Sequence, residues 1–157
     1  MVRAMNEQSS PERRIVVGVD GSDQSRLALR WALRQAELTG ATVQAVIAWH
    51  YPAMVGGYGW APVPAMDAAD FGEVAEKTLA AVLADEADPA SSVRVTTSVV
   101  EGIAAQVLLE AANGAELLVV GSRGHGGFTG ALLGSVSQHC AHLSPCPTVI
   151  VRAGAKE

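Results

Sequence analysis

The 157-residue chain, with 49% hydrophobic and 17% charged residues, is too apolar for a disordered protein and long enough to bury the core of a single domain. Its net charge of -5 and its scattered Lys and Arg residues argue against a general nucleic-acid-binding protein. No apolar run approaches the length of a membrane span, and residues 1–11 lack the apolar core of a signal peptide, so we expect a cytoplasmic protein without a membrane partner.

The first predicted elements form a strand, a helix and a second strand. Residues 1–13 are polar and without periodicity, which indicates a flexible N-terminal tail. Ile15 to Val19 is a continuous apolar run, typical of a strand covered on both faces. Ser22 is a candidate N-cap for a helix whose apolar positions recur at helical spacing until Gly40, and Thr42 to Trp49 is a second apolar strand. Such a βαβ unit is parallel and right-handed.

The segment 50–70 interrupts this alternation. It combines glycines and prolines with aromatic and methionine side chains that have no period, so we interpret it as a mobile loop, with a lid over a site as the alternative. A second helix follows, and its predicted buried face consists of Phe71, Val74, Ala75, Thr78, Leu79 and Val82. The alternation from Val93 to Val100 predicts a third strand near an edge of the sheet, and Ile103 to Ala112 a third helix.

The fourth strand and the loop after it carry the strongest functional signal. Leu117 to Val120 is an apolar run that ends on glycines, and Gly134-Ser135 opens a further helical stretch. Glycine lets the backbone approach a ligand closely, and the unpaired amides of a helix N-terminus bind anions, so this loop suits a phosphate. The interpretation requires that the helix begin there and that the Gly134 and Ser135 amides be free. Thr148 to Val151 is the last predicted strand.

Five strands alternating with four helices predict an α/β three-layer sandwich with a parallel sheet, formed by one domain over residues 14–153 and followed by a short tail, 154–157. The glycine spacing resembles the universal stress protein family, in the branch that binds ATP. Its signature, Gly-x2-Gly-x9-Gly-Ser/Thr, is matched by Gly121, Gly124, Gly134 and Ser135. The resemblance implies the strand order 3-2-1-4-5 of the adenine nucleotide alpha hydrolase-like fold, with a ligand crevice at the carboxyl ends of strands one and four.

The resemblance also implies that this crevice binds ATP. Asp20, at the end of the first strand, would lie near the ribose, although capping of the first helix is an equally good explanation from the sequence alone. Ala48 and Val120 match positions beside the adenine, with packing in the core as the alternative. The implied nucleotide contacts are Gly18, Asp20, Ala48, Val120, Gly121, Arg123, Gly124, Gly134, Ser135, Val136 and Ser137. Mg²⁺ would accompany ATP, held mainly by phosphate oxygens.

Other reactive side chains carry weaker signals. Cys140 and Cys146 have neither the Cys-x-x-Cys spacing nor that of a zinc site, and are interpreted as two reduced, mostly buried residues, with a redox pair as the alternative. Arg123 either pairs with phosphate oxygens or is an exposed loop residue. His125 is either a solvated bystander or an acid or base. We therefore assign no catalytic residue and no metal-binding side chain.

Three functions remain open from the sequence. The resemblance implies an ATP-binding stress protein that acts as a nucleotide-dependent signalling module; a slow ATPase or phosphotransferase at the same site is one alternative, and a dimeric scaffold without nucleotide another. The sequence offers no convincing general base or clamp of basic residues, which favours the binding module. Family members pair their last strand with its copy, so we expect a homodimer through Thr148, Val149, Ile150 and Val151.

Overall fold

The chain forms a five-stranded parallel sheet with helices on both faces, described by a computed structural model for residues 12–50, 67–125 and 132–154. In chain order the elements are β1 (Arg14–Gly18), α1 (Asp23–Thr39), β2 (Thr42–Trp49), α2 (Ala68–Glu86), β3 (Val95–Glu101), α3 (Ala104–Ala111), β4 (Leu117–Gly121), α4 (Ser135–Leu143) and β5 (Thr148–Val151). The sheet order is β3-β2-β1-β4-β5, and every neighbouring pair is parallel. The predicted fold class and strand order are confirmed.

Alternate residues of β1 enter separate hydrophobic cores on the two faces of the sheet. Ile15 and Val17 pack with residues of α1 and α2, whereas Val16 packs with residues of α3 and α4. All three side chains are fully buried. Because both faces of a central parallel strand are covered, its sequence is a continuous apolar run rather than an alternation.

The start of α1 fixes the residues that follow β1. The Ser22 hydroxyl is the N-cap of α1 and accepts a hydrogen bond from the Ser25 amide at 3.2 Å. The helix ends at Gly40, whose φ of 71° places it in the left-handed region that glycine adopts without strain. Since the cap follows Asp20 by two residues, the packed helix holds Asp20 at the carboxyl end of the sheet.

Two predictions about exposed elements had different outcomes. The edge position of β3, predicted from its alternation, is confirmed, although the strand begins at Val95 rather than Val93. Val74 is 53% exposed, so its assignment to the buried face of α2 was wrong. The buried residues of that helix are Ala75, Leu79 and Val82, which recur at spacings of four and three.

Most of the predicted flexible segments lie outside the described residues, at 1–11, 51–66 and 155–157. The interpretations of the two tails and of the 50–70 loop therefore stay predictions. Arg13, which the sequence assigned to the tail, donates from Nε and Nη2 to the two carboxylate oxygens of Glu116 at 2.7 and 2.8 Å. This ion pair links the residue before β1 to the residue before β4.

Candidate functional site

A crevice of about 280 Å³ opens at the carboxyl ends of β1 and β4. The chain leaves these neighbouring strands toward opposite faces of the sheet, to α1 and α4, which makes this the topological switch point where open α/β sheets bind ligands. Its lining residues are Gly18, Val19, Asp20, Ser25, Val46, Ala48, Ala104, Leu108, Val120, Gly121, Arg123, Gly124, His125, Gly134, Ser135, Val136 and Ser137. The fold thus brings together every residue that the sequence analysis proposed as a nucleotide contact.

The inner wall of the crevice is apolar. Val46 and Val120 come from β2 and β4, and Leu108 of α3 closes the slot from the side; all three are buried. A Cβ on Gly18 would lie 2.9 Å from Cδ1 of Leu108, so this glycine lets Leu108 pack against the end of β1. Ala48 adds little volume, and the apolar lining suits a base. Leu108 is not among the contacts predicted from the sequence. The sequence placed it within the third predicted helix, but the bounds of a helix do not say which strand ends that helix covers.

The Asp20 carboxylate at the mouth of the crevice is held by amide and hydroxyl donors. Oδ1 accepts hydrogen bonds from the Ser22 amide at 2.9 Å and from the Ser22 hydroxyl, and Oδ2 accepts one from the His125 amide at 3.3 Å. Burial alone would raise the pKa of Asp20, but the hydrogen bonds from Ser22, Ser25 and His125 together lower it below its usual value. Asp20 is therefore an ionised acceptor at neutral pH, while Ser22 rather than Asp20 is the N-cap of α1.

Two signature glycines make room for other parts of the protein. A Cβ on Gly121 would lie 2.8 Å from the carbonyl carbon and 2.9 Å from the carbonyl oxygen of Gln24 in α1. A Cβ on Gly124 would overlap Oδ2 of Asp20. From the sequence, these glycines were expected to allow close approach of a ligand. In the structure they let α1 pack against the end of β4 and let the Asp20 carboxylate lie against the loop.

The main-chain carbonyl of Ser122 joins the two ends of the loop between β4 and α4. It accepts a hydrogen bond from the Gly134 amide at 2.8 Å and another from the Ser137 hydroxyl at 2.9 Å. The expectation that the Gly134 amide would be free was therefore wrong. The physical reason is that the loop returns to its starting point, where the Ser122 carbonyl needs a donor because it is buried.

The N-terminus of α4 lies on the crevice. The helix begins at Ser135 with Gly134 as its N-cap, which confirms the predicted start. The amides of Ser135, Val136 and Ser137 belong to the first turn and have no acceptor within the helix. Together with the positive end of the helix dipole, such amides bind anions. The Ser137 hydroxyl is different, because it is buried and donates to main-chain carbonyls.

Arg123 and His125 lie on the exposed rim of the crevice. Arg123 carries a positive charge, and its Cα would lie 3.4 Å from a Cβ on Gly134, the N-cap of α4. Loop residues 126–131 lie outside the described part of the chain. Within the ranges that are described, no three His, Cys, Asp or Glu side chains cluster as a metal site, and no helix is long and apolar enough to cross a bilayer.

The sequence matches a family model and curated relatives over most of its length. The model of the Universal stress protein family matches residues 12–152. Universal stress protein Rv2005c of Mycobacterium tuberculosis is 36% identical over 138 residues, an alignment that covers 88% of this chain and 45% of that protein. The chain thus spans less than half the length of the curated relatives it matches.

Two solved structures of similar fold are complexes with adenine nucleotides. A universal stress protein in complex with cAMP is 27% identical, with a TM-score of 0.58 over 92% of this chain and 100% of that one. The universal stress protein from Archaeoglobus fulgidus in complex with dAMP is 19% identical, with a TM-score of 0.59 over 90% of this chain and 98% of that one. The second likeness, at this low identity, concerns the fold alone.

Proposed function

We propose that this chain, which belongs to the universal stress protein family, binds ATP in the crevice between β1 and β4 and acts as a nucleotide-dependent stress-response module in the cytoplasm. The observation that carries the proposal is the first turn of α4 at one end of an apolar slot. The slot suits a base and the helix N-terminus suits phosphates. The cAMP complex of the 27% identical protein supports an adenine nucleotide as the ligand class.

In this proposal the base and the sugar occupy the inner part of the crevice. Adenine packs against Val120 and Leu108, and the small side chain of Ala48 leaves space for the ring. Asp20 accepts a hydrogen bond from a ribose hydroxyl. Its Oδ2 accepts one hydrogen bond from the His125 amide, which leaves acceptor capacity for the sugar.

The phosphates occupy the rim. The amides of Ser135, Val136 and Ser137 donate to phosphate oxygens, and Arg123 contributes charge. The backbone at Gly121, Gly124 and Gly134 completes this part of the crevice. Mg²⁺ fits such a site through phosphate oxygens and water, since it keeps several of its waters when it binds to proteins.

The test is to denature freshly purified protein, identify any released nucleotide by mass spectrometry, and titrate emptied protein with Mg·ATP in a calorimeter. We expect the wild type to bind ATP, Asp20→Ala to lose this binding, and Gly124→Ala to bind ATP roughly tenfold more weakly. Gly154→Ala is the matched control, because its added Cβ meets open space. A wild type that carries no nucleotide and gives no heat with Mg·ATP would contradict the proposal.

A slow ATPase is the alternative with a specific observation in its favour. The His125 residue lines the crevice, and histidine is the side chain that most often serves as a general acid or base in enzymes. Timed incubation with ATP distinguishes the two functions. ADP formation that falls in His125→Ala while ATP affinity is kept would favour the enzyme, and stable ATP would favour the binding module.

We also propose that β5 pairs with β5 of a second copy. This strand forms one edge of the sheet, and Thr148, Val149, Ile150 and Val151 are all partly exposed. An apolar edge strand is normally covered, and pairing with its own copy covers it through a two-fold axis. Light scattering at micromolar concentration should give the mass of a dimer and of a monomer for Ile150→Lys. The control Thr97→Lys, on the opposite edge strand β3, should stay dimeric.

A further inference from the structure

We propose that the Ser137 hydroxyl is a positioning group for phosphate binding, which holds the end of β4 and the start of α4 in one fixed arrangement. The inference rests on the proposed nucleotide-binding function of the crevice. It assigns the hydroxyl a role distinct from that of a phosphate ligand. The Ser137 amide, in the first turn of α4, keeps its proposed contact with phosphate.

The geometry that carries the inference is a hydroxyl shared between two main-chain carbonyls. Ser137 Oγ lies 2.9 Å from the carbonyl oxygen of Ser122 and 2.9 Å from that of Gly134. Ser122 directly follows β4, and Gly134 directly precedes α4. The hydroxyl therefore links the residue that follows β4 to the residue that precedes α4.

The same geometry argues against a direct contact between this hydroxyl and phosphate. A serine hydroxyl has a single proton to donate, and a fully ionised phosphate oxygen can only accept. That proton is already directed to Ser122 and Gly134. Ser137 as a whole is also only 2% exposed, in contrast to the exposed Ser135 two residues earlier.

Loss of the hydroxyl should loosen this arrangement without unfolding the protein. The Ser122 carbonyl keeps the Gly134 amide as a donor at 2.8 Å, and the Gly134 carbonyl keeps the Gln138 amide at 3.0 Å. Neither carbonyl is left without a partner, which is the situation that makes such substitutions costly. The substitution removes the shared donor that sets the distance between the two carbonyls. The amides in the first turn of α4 then lose their fixed orientation.

The experiment compares Ser137→Ala with the wild type in two measurements. Calorimetry gives the affinity for adenosine and for Mg·ATP, and NMR-detected hydrogen exchange of the nucleotide-free protein gives the protection of the Gly134 amide. We expect unchanged adenosine affinity, a roughly tenfold weaker ATP affinity, and faster exchange at Gly134. Ser137→Thr, which keeps the hydroxyl, should restore both ATP affinity and protection.

A matched control is Ser144→Ala, at the other end of α4, whose hydroxyl donates to the Cys146 carbonyl at 2.8 Å. It should leave ATP affinity and Gly134 exchange unchanged. Equal losses of adenosine and ATP affinity in Ser137→Ala would overturn the inference and indicate general destabilisation. Unchanged Gly134 exchange with weaker ATP binding would also overturn it, in favour of a direct ligand. If the wild type binds no nucleotide, the proposed function fails, and the positioning role in phosphate binding fails with it. In that case the exchange rate at Gly134 measures only how often its hydrogen bond to the Ser122 carbonyl opens.

Discussion

The substitution Gly121→Ala tests the claim that this signature glycine serves the packing of α1 rather than a ligand. The added Cβ would lie 2.8 Å from the carbonyl carbon, 2.9 Å from the carbonyl oxygen and 2.9 Å from the Cβ of Gln24. Most of these atoms belong to the backbone of a packed helix, so no side-chain rotation relieves the contact. Either α1 or the end of β4 has to shift, and the Asp20 and Ser22 region moves with the start of α1.

The expected loss of stability follows from two opposing terms. Overpacking a close-packed site costs about 1–3 kcal/mol. Replacing glycine by alanine restricts the unfolded chain and returns roughly 0.5 kcal/mol. The net loss in the free energy of unfolding is therefore about 1.5 kcal/mol, which corresponds to a lowering of the melting temperature by roughly 5 °C for a domain of this size.

Urea unfolding followed by tryptophan fluorescence measures this loss, since Trp31 and Trp49 are partly buried against the core that includes α1. The slope of the unfolding free energy against urea should not change, because the surface exposed on unfolding is nearly the same. Gly154→Ala, which meets no atom within 4 Å, is the control and should stay within about 0.5 kcal/mol of the wild type. If Gly121→Ala is as stable as this control, the packing explanation is refuted.

Three further predictions concern Asp20 and the thiols. Gly124→Ala should weaken ATP binding by roughly tenfold, as measured by calorimetry. It should lower the free energy of unfolding, measured in urea, by less than about 1 kcal/mol, because its added Cβ meets the Asp20 side chain, which can rotate. Burial opposes ionisation of Asp20, yet its hydrogen bonds hold the pKa of this carboxyl below the usual value. The stability that the ionised Asp20 contributes is therefore present above about pH 4 and is lost as the pH falls below that. Asp20→Asn should accordingly flatten the acid side of the stability profile, and an unchanged profile would contradict the assignment. Burial raises the pKa of the Cys140 thiol to about 11, so a thiol reagent at roughly pH 8 should modify Cys146 in the native protein and Cys140 only after unfolding; rapid reaction of both would contradict this.

Several features of the fold were predictable because their signals are local. The apolar run from Ile15 to Val19 identified a strand covered on both faces, and Gly134-Ser135 identified the start of α4. Alternation of apolar and polar residues placed β3 at an edge. The order of the strands came from the resemblance to a family, since periodicity identifies strands and does not say which ones are neighbours.

The order of the strands and helices along the chain, their bounds to within a few residues and the glycines around the loop all follow from local patterns in the sequence. What those glycines contact depends on the packing of distant segments. The Asp20 carboxylate meets the His125 amide across a separation of 105 residues, and the Gln24 side chain meets the Ser122 hydroxyl across 98. The hydrogen bond from the Gly134 amide to the Ser122 carbonyl and the position of Leu108 in the apolar wall also depend on the tertiary structure. These contacts exist because the sheet places β1 beside β4, and no local pattern of residues records which distant segments a strand order will bring together.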